Sequence, residues 1–111
     1  MQRVISVLLL GMTASEPLGD VATRLLFEND RVKVWEMLLE PGEASARHEH
    51  TRDYLLCVLE GESIDADGDD GTSIRIPVEP GTVFCIGRGA IETAVNRGPT
   101  RFREILIELK D

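Results

Sequence analysis

The histidines His48 and His50 are the only two in the chain, and they are the side chains best suited to hold a metal ion. Residues i and i+2 of a β-strand point to the same face of the sheet, so both imidazoles could coordinate one ion from that face. Two histidines that follow the polar Arg47 could equally lie in solvent. Taken alone, the pair leaves both interpretations open.

The aspartate-rich segment 65–71 is a second cluster of possible ligands. Alternating aspartates supply the oxygen ligands of calcium-binding loops. Such a loop needs glycine at its sixth position and glutamate at its twelfth, where this chain has Asp70 and Ile76. We therefore expect a solvated hairpin turn rather than a calcium site.

The elements that must position these side chains are short β-strands. From residue 25 onward, apolar or alternating runs are separated by turn residues at close intervals, which is typical of an all-β sandwich or barrel. The short connections favour antiparallel neighbours, and closing the sheet removes its edges. The predicted strands are 24–28, 32–39, 44–48, 54–59, 62–65, 73–78, 82–86, 91–96 and 102–109.

Length and composition indicate one compact domain, which we place at 24–111. The formal net charge is −8, and the 12 lysines and arginines are scattered, so we expect no nucleic-acid partner. The two cysteines, Cys57 and Cys85, lie in apolar runs. They are predicted to be free, buried thiols rather than a disulfide.

The apolar N-terminal segment 1–23 has two interpretations. In the first, Arg3 and the apolar residues 4–12 form a short signal peptide that is cleaved after Ala14. The protein would then be exported. Met12 is a poor residue three positions before such a cleavage. We therefore favour a cytoplasmic protein in which the segment forms an extra strand. The run is too short to span a membrane.

A longer pattern of glycines and histidines resembles the two-part motif of the cupin superfamily. The matching residues are Pro41-Gly42, His48-Glu49-His50, Glu60-Gly61, Pro80-Gly81 and Asn96. The resemblance covers about 29–110. It implies a double-stranded β-helix, an antiparallel jelly-roll barrel, whose usual site is three histidines and one glutamate around a divalent metal.

Two of the four ligand positions depart from this family pattern. Tyr54 stands where the ligand glutamate is common, and Glu92 stands where the third histidine is expected. The neighbouring Asp53 would point away, because strand residues alternate. The resemblance thus implies a metal set of His48, His50 and Glu92. A neutral Tyr54 phenol would then act as proton donor or substrate orienter.

Two imidazoles and one carboxylate form the facial arrangement found around non-haem Fe(II). Iron or manganese is therefore the expected metal, with nickel or zinc as alternatives. The resemblance implies a dioxygenase-, lyase- or isomerase-like enzyme acting on a small oxygenated or carboxylated metabolite in the barrel mouth. The alternative is a non-catalytic ligand-binding or dimeric module whose metal site has degenerated.

The strand around Trp35 is apolar on both faces, and with the apolar N-terminus it predicts a homodimer. Trp35 itself is interpreted as a packing residue. Glu36 is expected either to be buried within that strand or to face the barrel mouth and pair with an arginine. Four arginines near the rim are candidates for holding a substrate carboxylate: Arg88, Arg97, Arg101 and Arg103.

Overall fold

The structure is a computed structural model that describes residues 17–111, so the two interpretations of residues 1–14 lie outside it. No helix among the described residues has the length and apolar character to cross a membrane. The described residues form nine strands: β1 (Arg24–Glu28), β2 (Val32–Leu39), β3 (His48–Glu49), β4 (Tyr54–Glu60), β5 (Ser63–Gly68), β6 (Ser73–Pro77), β7 (Val83–Ile86), β8 (Ile91–Val95) and β9 (Phe102–Leu109).

The strands form two antiparallel sheets, which confirms the predicted all-β class. The larger sheet has the order β1-β2-β9-β4-β7, and the smaller has the order β3-β8-β5-β6. The inner faces of both sheets contribute to one apolar core. Val21 and Ala22, which precede β1, are also buried in this core.

Strand β9 is the middle strand of the larger sheet, and its side chains alternate strictly between buried and half-exposed. Phe102 and Leu106 point inward and are 0% and 1% exposed. Leu106 lies opposite Trp35 of β2, and the Trp35 Nε1–H donates a 2.9 Å hydrogen bond to Glu108. Trp35 is therefore a packing residue, as predicted.

The outer face of the larger sheet is less covered than the sequence suggested. Cys85 is exposed and Cys57 is half-buried, so the prediction of two buried thiols is wrong for Cys85, although both are free. Cys85 belongs to β7, an edge strand whose outward side chains no described element covers. Glu36 is buried on this face between Arg24 and Arg103, at 2.9 and 2.7 Å.

The aspartate-rich segment is a hairpin, as predicted, although β5 extends to Gly68 rather than ending at residue 65. The strand can carry its aspartates because arginines on the outer face neutralise them. Asp65 binds Arg75 at 2.9 Å and Arg97 at 3.0 Å. Asp67 binds Arg97 at 2.7 Å.

Asn96 joins three parts of the barrel. It is fully buried, and its Nδ2 donates 2.9 Å hydrogen bonds to the carbonyl oxygens of Leu39 and Thr100. Its Oδ1 accepts a 3.0 Å bond from the Gly98 N–H. The side chain thus links the end of β2 to the turn between β8 and β9, which explains the asparagine at this position.

We expect Asn96→Asp to lower the free energy of unfolding by about 3 kcal/mol at pH 7, since a carboxylate cannot donate to two buried carbonyls. Asn29→Asp is the matched control, because Asn29 only accepts, through Oδ1, from the Arg31 and Val32 N–H groups. Urea denaturation measures both variants. Equal small losses would contradict this role for Asn96.

Candidate metal site and cavity

Strands β3 and β8 bring the two histidines and Glu92 to one face. His48 lies opposite Glu92 in antiparallel register, so the two side chains project to the same side. The pairing continues past β3, because the His50 N–H donates to the Ala90 carbonyl at 2.9 Å. His50 therefore shares the face of His48, as the two-residue spacing predicts, and the ring centroids are 4.8 Å apart.

The strand that carries the histidines is shorter than the predicted 44–48. Only His48–Glu49 forms β3, and Ala44 makes an isolated bridge to Val95. The reason lies at Ser45, whose Oγ accepts a 2.9 Å hydrogen bond from the Ala94 N–H. A side chain thus replaces a backbone carbonyl, and the ladder is interrupted there.

The three ligand atoms of His48, His50 and Glu92 lie within 4.8 Å of one another. This is wider than the roughly 3 Å between neighbouring ligands of a facial set around an ion bound at about 2.1 Å. Both histidines are buried, at 1% and 2% exposure, whereas the Glu92 side chain is 25% exposed.

His48 is oriented by the backbone. Its Nδ1 lies 2.8 Å from the Ala46 carbonyl oxygen, which can only accept, so Nδ1 carries the proton and Nε2 keeps its lone pair. Such a bond is the usual support of a metal-binding histidine. Burial lowers the pKa of His48, which favours the neutral form that a metal requires.

His50 and Glu92 contact each other only loosely. The distance from His50 Nε2 to Glu92 Oε2 is 3.4 Å, longer than a charge-assisted hydrogen bond of about 2.8 Å. Hydrogen bonding from His50 lowers the pKa of Glu92, although burial opposes this. The Nδ1 of His50 is buried without a hydrogen-bond partner. Two imidazoles and one carboxylate are a donor set that fits a divalent cation.

Tyr54 approaches the histidines from the opposite sheet. Its ring stacks on His50, with centroids 4.0 Å apart and planes 11° from parallel. Burial, with smaller contributions from Glu92 and Glu104, raises the pKa of Tyr54, so the phenol stays protonated. Asp53 points outward to the Arg88 N–H at 3.0 Å, as alternation predicts.

These side chains line a cavity of about 170 Å³ between the two sheets. The rest of its wall is mainly apolar: Val21, Met37, Leu56, Ile64, Ala66, Ile76, Ile86, Ala90, Ala94 and Leu106. Asp65 also lines it, with its carboxylate paired to Arg75 and Arg97. Glu104 also lines the cavity, and the motif comparison missed it. The signal that could have found it is the alternation of β9, which places Glu104 inward between Phe102 and Leu106.

The four rim arginines do not line the cavity, so the expectation that one of them holds a substrate carboxylate there is wrong. Acidic residues on the outer surface engage each guanidinium instead. The pairs are Arg88 with Asp53 and Asp111, Arg97 with Asp65 and Asp67, Arg101 with Glu40, and Arg103 with Glu36.

Structural comparison identifies the fold. No family model matches the chain, and no curated protein matches it. A cupin domain from Bordetella pertussis superposes with a TM-score of 0.71 at 24% identity, covering 84% of this chain and 100% of that one. An uncharacterised double-stranded β-helix protein from Klebsiella pneumoniae gives 0.65 at 19% identity, covering 86% and 78%.

A third similar structure is the polyketide cyclase RemF of Streptomyces resistomycificus. Its TM-score is 0.57 at 24% identity, and the match covers 75% of this chain and 57% of the cyclase. Together these similarities show that the chain has the cupin fold, a double-stranded β-helix, which confirms the predicted architecture.

The pH dependence of stability should report on Glu104. Burial, with a smaller contribution from Glu92, raises the pKa of Glu104 to about 8 from an ordinary value of 4.5. The folded protein then keeps a proton that the unfolded chain releases, so stability is full below about pH 4.5 and falls until about pH 8.

We expect the stability advantage of Glu104→Gln over wild type to grow from pH 5 to pH 8, at up to about 1.4 kcal/mol per pH unit. Thermal denaturation of both proteins in EDTA measures this difference. An advantage that is constant over the range would show that the Glu104 carboxyl is ionised throughout.

Proposed function

We propose that the protein is a divalent-metal-dependent enzyme that acts on a small molecule bound in the cavity. The observation that carries the proposal is the convergence of His48, His50 and Glu92 on one face, with ligand atoms within 4.8 Å of one another at the wall of an apolar cavity. Buried groups of this kind are costly unless they serve a ligand.

The donor set favours iron or manganese, and nickel or zinc would also be accepted. His48 would bind through Nε2, because its Nδ1 is engaged by Ala46. A bound divalent ion supplies Lewis-acid polarisation of a substrate oxygen. Three protein ligands leave coordination positions open for that oxygen.

Of the two roles expected for Tyr54, proton donor and substrate orienter, we propose the second, because the raised pKa keeps the phenol protonated. Its hydroxyl has no hydrogen-bond partner among the described residues, and its ring is held flat against His50. A neutral phenol at this position can donate a hydrogen bond to a substrate oxygen. The mainly apolar wall lowers the local polarity, which strengthens that bond.

Dioxygenase-, lyase- and isomerase-like reactions on a small oxygenated molecule are the candidate chemistries. One structural neighbour is a polyketide cyclase, so enzymes of small molecules occur among proteins of this fold. This supports an enzymatic role over a purely structural one. The loose contact between His50 and Glu92 supports a bound cation over a structural ion pair.

The first test is metal binding. We expect one Mn(II) or Fe(II) per chain in wild type and none in His48→Ala/His50→Ala, by elemental analysis of untagged protein. Glu92→Gln should weaken Mn(II) binding by more than about 10-fold. Removing a residue that only hydrogen-bonds to a metal ligand already costs about 10-fold in affinity, and removing a ligand should cost more. Glu49→Gln is the control, since Glu49 lies between the histidines but is exposed.

Failure of the wild-type protein to bind either ion would contradict the proposed enzyme. The alternative would then be the better account: a non-catalytic binding module whose cavity holds a ligand without a metal. Binding that survives in the double histidine variant would instead place the metal elsewhere in the chain.

We also propose that the protein is a homodimer that covers the outer face of the larger sheet. This face carries half-buried apolar side chains in its central strands, among them Ile105 and Ile107. At its edges, Phe27 is 54% exposed and Val83 is 60% exposed. Covering such a face in a symmetric pair would remove it from water.

Light scattering should give twice the 12.3 kDa chain mass for wild type. Val83→Lys should shift the protein toward monomer, because a lysine would be buried in the interface. Ile74→Lys is the matched control, since Ile74 is also 60% exposed but lies in the smaller sheet. A wild-type monomer at micromolar concentration would contradict the proposal.

A further inference from the structure

Glu104 is a buried carboxyl that the metal site does not use. It is 6% exposed and lies on β9 between the fully buried Phe102 and Leu106. Its opposite neighbours in the sheet are Met37 of β2 and Val58 of β4, which are 2% and 1% exposed. The carboxyl group is therefore held in an apolar setting on the cavity wall.

The other buried acids of the described residues all have partners. Glu36 binds two arginines, Asp65 binds two arginines, and Glu108 accepts the Trp35 N–H. Glu104 alone among them has no hydrogen bond or ion pair to any described residue. A carboxyl group of a buried residue that has no protein partner is costly unless something in the cavity satisfies it, so its place on the cavity wall points to a bound ligand.

The regular alternation of β9 directs Glu104 into the cavity, beside an irregularity in the neighbouring strand. The register between β9 and β4 shifts at this point, since Arg103 pairs with Glu60 whereas Glu104 pairs with Val58. The unpaired residue is Leu59 of β4, and bulges of this kind are frequent beside functional sites. Glu104 lines the same cavity as the histidines.

The charges of the cavity favour an uncharged ligand. Among the described residues that line it, none is a lysine or arginine, and three are acids: Glu92, Glu104 and Asp65, whose carboxylate is already paired with Arg75 and Arg97. Burial, with a smaller contribution from Glu92, raises the pKa of Glu104 to about 8, so at neutral pH it can donate one hydrogen bond and accept another. The part of an anionic ligand that reached Glu104 would find no lysine or arginine among the described lining residues, because the proposed metal ion lies at the other ligand set, with Glu92 and the two histidines.

We propose that Glu104 is a ligand-recognition residue, and that the cavity takes an uncharged, largely apolar molecule whose hydroxyl or carbonyl oxygen hydrogen-bonds to Glu104. The inference rests on the proposed function in one respect, because a ligand of this class would be the substrate of the metal site. It narrows that class from oxygenated or carboxylated molecules to neutral oxygenated ones.

Three probes of similar size test the recognition: benzyl alcohol, toluene and benzoate. A cavity of about 150 Å³ is enough for benzene, and this one is about 170 Å³. Titrations of EDTA-treated protein, followed by NMR of the cavity methyl groups, give the affinities. We expect wild type to bind benzyl alcohol about 10-fold more tightly than either toluene or benzoate. A difference in affinity of about 10-fold corresponds to one good hydrogen bond.

Glu104→Met keeps the length of the side chain and removes its polar atoms. The variant should bind toluene and benzyl alcohol equally. A preference for the alcohol that persists in the variant would overturn the proposal. So would a wild type that binds benzoate as tightly as benzyl alcohol, or one that binds none of the three probes.

Thermal stability separates recognition from a structural role. Glu104→Met should raise the melting temperature, because it replaces an unpartnered carboxyl with an apolar group of similar size. Glu108→Met, on the same face of the same strand, should lower it, because the buried Trp35 N–H loses its acceptor. Similar losses in both variants would assign Glu104 a structural role and overturn the proposal.

A Mn(II) titration of Glu104→Met distinguishes this inference from the proposed enzyme. Unchanged metal affinity supports recognition by Glu104, whereas loss of the metal would make Glu104 a metal ligand and overturn it. If wild type binds no metal but prefers benzyl alcohol through Glu104, the proposed enzyme fails and the recognition of neutral ligands stands.

Discussion

The pairing of β9 with β2 and β4 is the interaction on which the interior of this barrel depends. As the middle strand of the larger sheet, β9 sets the register of both neighbours and decides which of their side chains face inward. Leu106 thereby meets Trp35 on one side and Leu56 on the other. The same two-residue period that buries Phe102 also places a carboxyl group, Glu104, in the cavity wall.

Charged groups are sorted by this barrel into two populations. On the outer surface, acids and arginines neutralise one another, as in the contacts of Arg97 with Asp65 and Asp67. In the cavity, by contrast, the polar groups have few protein partners: His50 Nδ1 is unsatisfied and Glu104 is unpaired among the described residues. These polar groups of the cavity are thus available to hydrogen-bond a bound ligand.

Local pattern was sufficient for most of the fold. The strands 24–28, 32–39 and 102–109 were predicted to the residue, because apolar alternation and turn residues act over a few positions. The predictions at 44–48 and 62–65 were wrong at their ends. There the length of the strand depends on partners far away in the chain: the Ala94 N–H bound by Ser45, and the arginines that pair with Asp65.

By itself, the sequence determined the all-β class, the double-stranded β-helix through its resemblance to cupins, and the shared face of His48 and His50, since all of these follow from short-range spacing. Only the tertiary structure decided that Glu92 lies opposite His48 and that Tyr54 stacks on His50. It also decided that the rim arginines turn away from the cavity and that Glu104 faces it. These outcomes depend on register between distant strands and on competition among charges, and neither is encoded in the local order of residues.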